Sequence, residues 1–237
     1  MRDGEIDEIL KNAAGRTPKV EAAVLRRVAD SIQPSMRRVR PLPQTWVLAG
    51  GLVLICAAVA LAGAARAGFY GFEKMDLLER ALIFSTLGVL AWVAGTEFVN
   101  AMIPGSRRRI SAGGLLGFDS VVLVVVFALL FHDYQTEHFV SAGLLCLATG
   151  VLHAIPVGLL SWLVLRRGFA VNSVSAGVVA GTLAGLAGVG LLELHCANFQ
   201  AMHILVWHTA VLMVSAAVGA LVGTVGRFRG RDLQRVS

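Results

Sequence analysis

Three cysteines and six histidines are the residues in this sequence best suited to chemistry, and most of them gather in its second half. Cys146 stands alone in an apolar stretch. Glu193, His195, Cys196, His203 and His208 crowd a single short segment, with His153 between the two groups. Thiolate, imidazole and carboxylate together are soft to borderline ligands for zinc, copper(I) or cadmium. In an oxidising compartment Cys146 and Cys196 can instead close a disulfide. The spacing of His195–Cys196, His203 and His208 matches no standard zinc motif, and plainer accounts compete. The cysteines can be small unpaired fillers, and Glu193 can simply pair with His208, since ionisable groups in a membrane need partners. Trp207 is what an interfacial aromatic belt requires. His153 precedes Pro156 and can hydrogen-bond the backbone loosened there, or face His208 across a b-type haem. Cys56, set among Ala, Val and Ile, reads as a small core residue.

The elements that carry these residues follow from composition. The chain has 237 residues, 56% hydrophobic and 15% charged, with a mean hydropathy of +0.72. A soluble domain carries about 25% charge, so this chain has too little polar surface to face water. Three cysteines are too few for a disulfide scaffold, and the first 45 residues contain no apolar run that would read as a secretory signal peptide. Six apolar stretches follow, near Trp46–Ala65, Leu77–Ile103, Gly113–Phe131, Val140–Leu165, Ser173–Leu192 and His203–Val225. Each suffices for the roughly 20 helical residues that cross a bilayer, and none alternates as a barrel strand does. The expected fold is therefore all-α and polytopic, with six transmembrane helices over 46–226, an N-terminal tail 1–45 and a basic C-terminal tail 227–237.

Basic residues sort to one side. The N-terminal tail, Arg107–Arg109, Arg166–Arg167 and Arg227, Arg229, Arg231 and Arg235 hold 18 of the 21 Lys and Arg. The positive-inside rule then puts both termini in the cytoplasm and makes the net charge of +6 a topology signal, with no implication for nucleic acid. All six histidines fall toward the opposite face. Counting about 20 residues from the arginine anchors puts Cys146, Glu193, Cys196, Trp207 and His208 at one outer level, with His195 and His203 just beyond it. Asp119 and Glu97, near the inner ends of their spans, are expected to snorkel or find water. Gly177, Gly181 and Gly185 leave one face of span 5 bare for close helix packing. In the tail, Ile6, Ile9 and Leu10 make one short helical stripe, and Val20, Val24, Leu25, Val28 and Ile32 make another between Thr17–Pro18 and Gln33–Pro34. Stripes with no core of their own need a partner: the membrane surface, a second copy, or a soluble protein with a groove.

No phosphate loop, dinucleotide fingerprint, Gly-x-Ser-x-Gly or His-Glu-x-x-His is present, so no enzyme is expected. The span midplanes are almost wholly apolar, which counts against a small transporter. Several segments together resemble a known family. Cys146 opens a span reading Cys-Leu-Ala-Thr-Gly-Val-Leu-His-Ala-Ile-Pro that closes on Arg166-Arg167-Gly168. A glycine-rich span then ends in Leu194-His195-Cys196, Val206-Trp207-His208 begins the last span, and Arg40-Pro41-Leu42-Pro43 precedes the first. This resembles the NrsF-like family of bacterial inner-membrane anti-sigma factors, most specifically over residues 146–208. The resemblance implies a cytoplasmic N-terminal segment that holds an extracytoplasmic-function sigma factor. It also implies two outer-side cysteines, matched by Cys146 and Cys196, that sense metal or oxidative stress. Family members commonly carry proline after the second cysteine, where Ala197 stands here. The expected partners are thus a sigma factor and membrane lipid, with no nucleic acid and no small-molecule substrate. The only cofactor in view is a transition-metal ion at the outer face. The rival expectation is a metal- or haem-binding membrane protein, or a small transporter, without a sigma partner.

Overall fold

A computed structural model describes residues 43–103, 106, 109–136, 138–167 and 172–235, of which 166–167 and 226–235 by backbone only, together with residues 8, 11, 26, 27 and 30. The chain divides into two compact units, Met1–Leu42 and Pro43–Ser237. In the first unit the described residues Glu8, Lys11, Arg26, Arg27 and Asp30 are helical. Ile6, Ile9, Leu10, Val20, Val24, Leu25, Val28 and Ile32, the expected partner-binding positions, lie outside the described residues.

The second unit is helical, with no strand among the described residues beyond an isolated bridge between Asp133 and Gln200. Its elements are α1 (Thr45–Ala67), α2 (Tyr70–Lys74), α3 (Leu77–Met102), α4 (Ala112–Leu130), α5 (Phe139–Arg167), α6 (Ser173–His195), α7 (Ala201–His203), a π-helical turn (Ile204–His208) and α8 (Thr209–Arg235). Among the described residues six helices are long and apolar enough to cross a membrane; α7, the π turn and α8 to Val225 run on as one of them. Local chemistry sets their starts. Asp76 accepts from the Glu79 backbone N–H while Glu79 accepts from that of Asp76, a reciprocal box that begins α3. Ser111 and Asn172 cap α4 and α6 through the Gly114 and Ser175 N–H groups.

Helix α6 is the hub. Its apolar window is 83% buried, against 22% for that of α5, because it packs against α1, α3, α4, α5 and α8 together. Its glycines make this possible. A Cβ on Gly177 would collide with the Gly219 carbonyl of α8, one on Gly181 with the Ser215 carbonyl, and one on Gly185 would lie 2.8 Å from the Leu212 Cα. Gly219 and Gly223 answer from α8, meeting the Gly177 and Ser173 carbonyls in turn. Gly188 presses in the same way on Gly150 of α5. With no hydrophobic force between helices in lipid, such backbone-close contact supplies the packing energy. Large apolar side chains such as Leu54, Val89, Val121, Leu145 and Leu221 point outward, as a lipid-facing surface requires.

Asp119 and Glu97 differ from expectation. Asp119 is fully buried with neither carboxyl oxygen hydrogen-bonded, and Glu97 is buried with Oε2 unpartnered. Both lie on the packed side of their helices, so neither snorkels. Depth along a helix was legible in sequence; the face turned inward was not.

Candidate functional site

The end of the bundle that carries α2 is built around the loop from Cys196 to Gln200. This loop is held from three directions. Lys74 donates to the Ala197 carbonyl at 3.0 Å, the Ala201 N–H donates to the Asp133 carbonyl, and Gly71 lies so close that a Cβ there would meet the Glu193 and Cys196 carbonyls. The first two connections at this end of the bundle thus clamp the third.

Beneath the loop four side chains converge. Cys146 lies on the second turn of α5, Cys196 caps the C-terminus of α6, His203 ends α7, and His208 ends the π turn. The two sulfurs are 3.4 Å apart, in contact as free thiols, and Cys196 Sγ is 3.6 Å from His203 Nε2. One potential ligand atom from each of Cys146, Cys196, His203 and His208 falls within 4.8 Å of all the others. Cys196, His203 and His208 are buried, and Cys146 is half-buried. The Cys196 thiol is pushed up in pKa, first by its hydrogen bond to Cys146 and then by burial, with His203 and His208 pulling the other way.

The π turn explains the two histidines. Residues five apart on an α-helix point about 140° away from each other. The wider π turn, at about 4.4 residues per turn, closes that angle to roughly 50°. The rings accordingly meet edge to face, with centroids 5.6 Å apart. Behind His208, its Nδ1 donates to Glu193 Oε1 at 2.6 Å, both side chains being 1% exposed. A carboxylate only accepts, so Nδ1 carries a proton and the ring turns its Nε2 edge toward the cysteines. Aromatic rings pack around the cluster. Phe131 stacks on Phe199, Phe139 packs on Trp207, and Phe127 meets the His208 ring edge on.

The sequence profile of the family described as "negative regulator of sigma F" (NrsF) matches residues 28–226. This chain belongs to that family. No curated protein and no solved structure matches it. The resemblance read from residues 146–208 therefore extends over most of the chain, starting inside the second stripe of the tail.

Within this NrsF chain the structure brings Cys146, Cys196, His203 and His208 together, with Glu193 one hydrogen bond behind. It holds the other two candidate histidines, His195 and His153, elsewhere. His195 Nδ1 bonds the Gly68 carbonyl at 3.1 Å and its ring packs on Tyr70. His153 Nδ1 bonds the Thr149 carbonyl at 2.9 Å one turn earlier on α5, beside Gly63. Sequence reasoning did not find the π turn, which places His203 inside the cluster when an α-helical count puts it beyond the interface. It also missed the Phe131–Phe199 cover. The unusual i, i+5 histidine pair was the available signal for the first; aromatics at a membrane interface are too common to have signalled the second.

Proposed function

We propose that this chain is an integral-membrane anti-sigma factor. Its segment 1–45 holds an extracytoplasmic-function sigma factor inactive in the cytoplasm, and a metal or oxidative stimulus received by cysteines at the other face releases it. Membership of a family described as a negative regulator of a sigma factor, over residues 28–226, carries the reading. The sidedness of Lys and Arg supports a bacterial inner-membrane placement with both termini cytoplasmic. The protein acts by binding alone. It catalyses no reaction, touches no nucleic acid and takes no small-molecule substrate, and its second partner is the surrounding lipid.

Cys146 and Cys196 are the trigger in this reading. Their contact bridges α5 and the α6–α7 loop, so a bond of about 2.05 Å between the sulfurs would draw those elements together. A peroxide would take two electrons and two protons from the two thiols and leave as water. The change would reach the opposite end through α6, which touches most of the bundle. Transmission requires that the oxidised site favour one packing arrangement over the other; an equal preference would move nothing.

The test uses the full-length protein co-expressed with the sigma factors of its own genome. One of them should co-purify from reduced membranes and dissociate on peroxide treatment. Cys146→Ser should retain that sigma factor and ignore peroxide. A full-length protein that captures no sigma factor overturns the reading.

A further inference from the structure

We propose that Cys146, Cys196, His203 and His208 form a closed four-coordinate site for one divalent d10 cation, zinc or cadmium, with Glu193 fixing the orientation of His208. The inference deepens the reading above and rests on it for the ion's part in signalling; binding itself rests on the geometry of the site. A tetrahedral ion with sulfur at about 2.3 Å and nitrogen at about 2.0 Å has S–S edges near 3.8 Å and S–N edges near 3.5 Å. The observed separations, 3.4 Å between sulfurs and 3.6 Å from Cys196 Sγ to His203 Nε2, need only small adjustment to meet them. The four ligand atoms already share a sphere small enough for one ion, all lying within 4.8 Å of one another.

Second, His208 Nε2 has no hydrogen-bond partner although its residue is 1% exposed. A buried polar atom left unpaired is costly, and a cation at the centre of the cluster removes that cost. Third, the Glu193–His208 contact is the arrangement that orients a metal-bound imidazole: the carboxylate holds Nδ1–H and turns Nε2 toward the ion. The donor set chooses the ion. Two sulfurs and two ring nitrogens without an oxygen ligand exclude magnesium and calcium. Two thiolates bring two negative charges into a buried place, which a divalent ion neutralises and copper(I) would leave half-balanced. Four protein ligands beneath aromatic cover leave no position open for water, the pattern of a structural centre.

The test is made on the full-length protein, reduced, stripped with chelator, held in detergent, and titrated with zinc, cadmium and copper(I) salts. One zinc or cadmium ion should bind per chain, with a cadmium–thiolate charge-transfer band and a two-sulfur, two-nitrogen shell by X-ray absorption. Cys146→Ser, Cys196→Ser, His203→Gln and His208→Gln should each lose high-affinity binding, while His153→Gln and His195→Gln bind as the parent does. Glu193→Gln should keep the two-thiolate band and bind about 10–100-fold more weakly. Ligand variants are compared only where they remain monodisperse, and four independent positions keep the test open if one fails to fold. Binding that survives loss of both a cysteine and a histidine overturns the site. So does uptake of copper(I) alone, or no uptake by reduced protein that still captures its sigma factor. Normal ion uptake without sigma capture would instead overturn the anti-sigma reading and leave the site standing.

Discussion

At the scale of single residues, the decisive pair is Glu193 and His208. Both are buried, and His208 Nδ1 meets Glu193 Oε1 across 2.6 Å. Removing one member strands the other's polarity in a dry place, which costs about 3–5 kcal/mol for buried pairs, whereas replacing both with apolar groups often costs little. His208→Leu should therefore destabilise the detergent-solubilised protein by about that amount, and Glu193→Leu combined with His208→Leu should recover most of the loss. Unfolding midpoints of the two single variants and the double variant measure it; strict additivity would mean the pair does not interact. Counting residues from the arginine anchors placed Cys146, Glu193, Cys196 and His208 at one level, because helical rise is uniform. The same count put His203 outside, since a π turn alters both rise and angle and leaves little trace in residue type.

Among the elements, α6 sets what the rest can do. Gly181 faces the Ser215 carbonyl, a backbone atom that cannot swing aside, so Gly181→Val should cost about 3 kcal/mol or more and separate α6 from α8. Gly117 on α4 has nothing within 4 Å of a would-be Cβ, and Gly117→Ala should stabilise by about 0.5–1 kcal/mol through backbone entropy alone. Thermal denaturation of the two variants should move in opposite directions from the parent; a matched loss in both would mean that glycine spacing does not decide this seam. The four-residue glycine period on α6 was legible in sequence as a bare helix face. Its answering surface, Ser215, Gly219 and Gly223 on α8, is diluted by larger residues and needed the paired geometry to be seen. Asp119 and Glu97 carry the same lesson, since periodicity in an almost wholly apolar span does not say which side meets protein and which meets lipid.

For the whole molecule, six spans could be read from apolar length alone, and the six candidate helices fall where those stretches lie. Sidedness is a separate question with its own test. In a cysteine-free background, Gln135→Cys should react with a membrane-impermeant maleimide in intact spheroplasts, and Ser31→Cys only after lysis. The reverse pattern would invert the orientation and place the cysteine cluster inside the cell. The segment from Ala201 to Val225 also serves two masters: its first turns present histidines to the cluster, and its later turns present glycines to α6. The π turn between them is in effect a phase shifter, one residue longer than a regular helix would use, offsetting the two faces by about 100°. Deleting a single residue from 204–206 would restore a uniform helix that can keep only one of these appointments. If the glycine seam is the stronger, such a chain stays assembled in the membrane with His203 rotated out of the cluster: a bundle intact in build, with its ligand set taken apart.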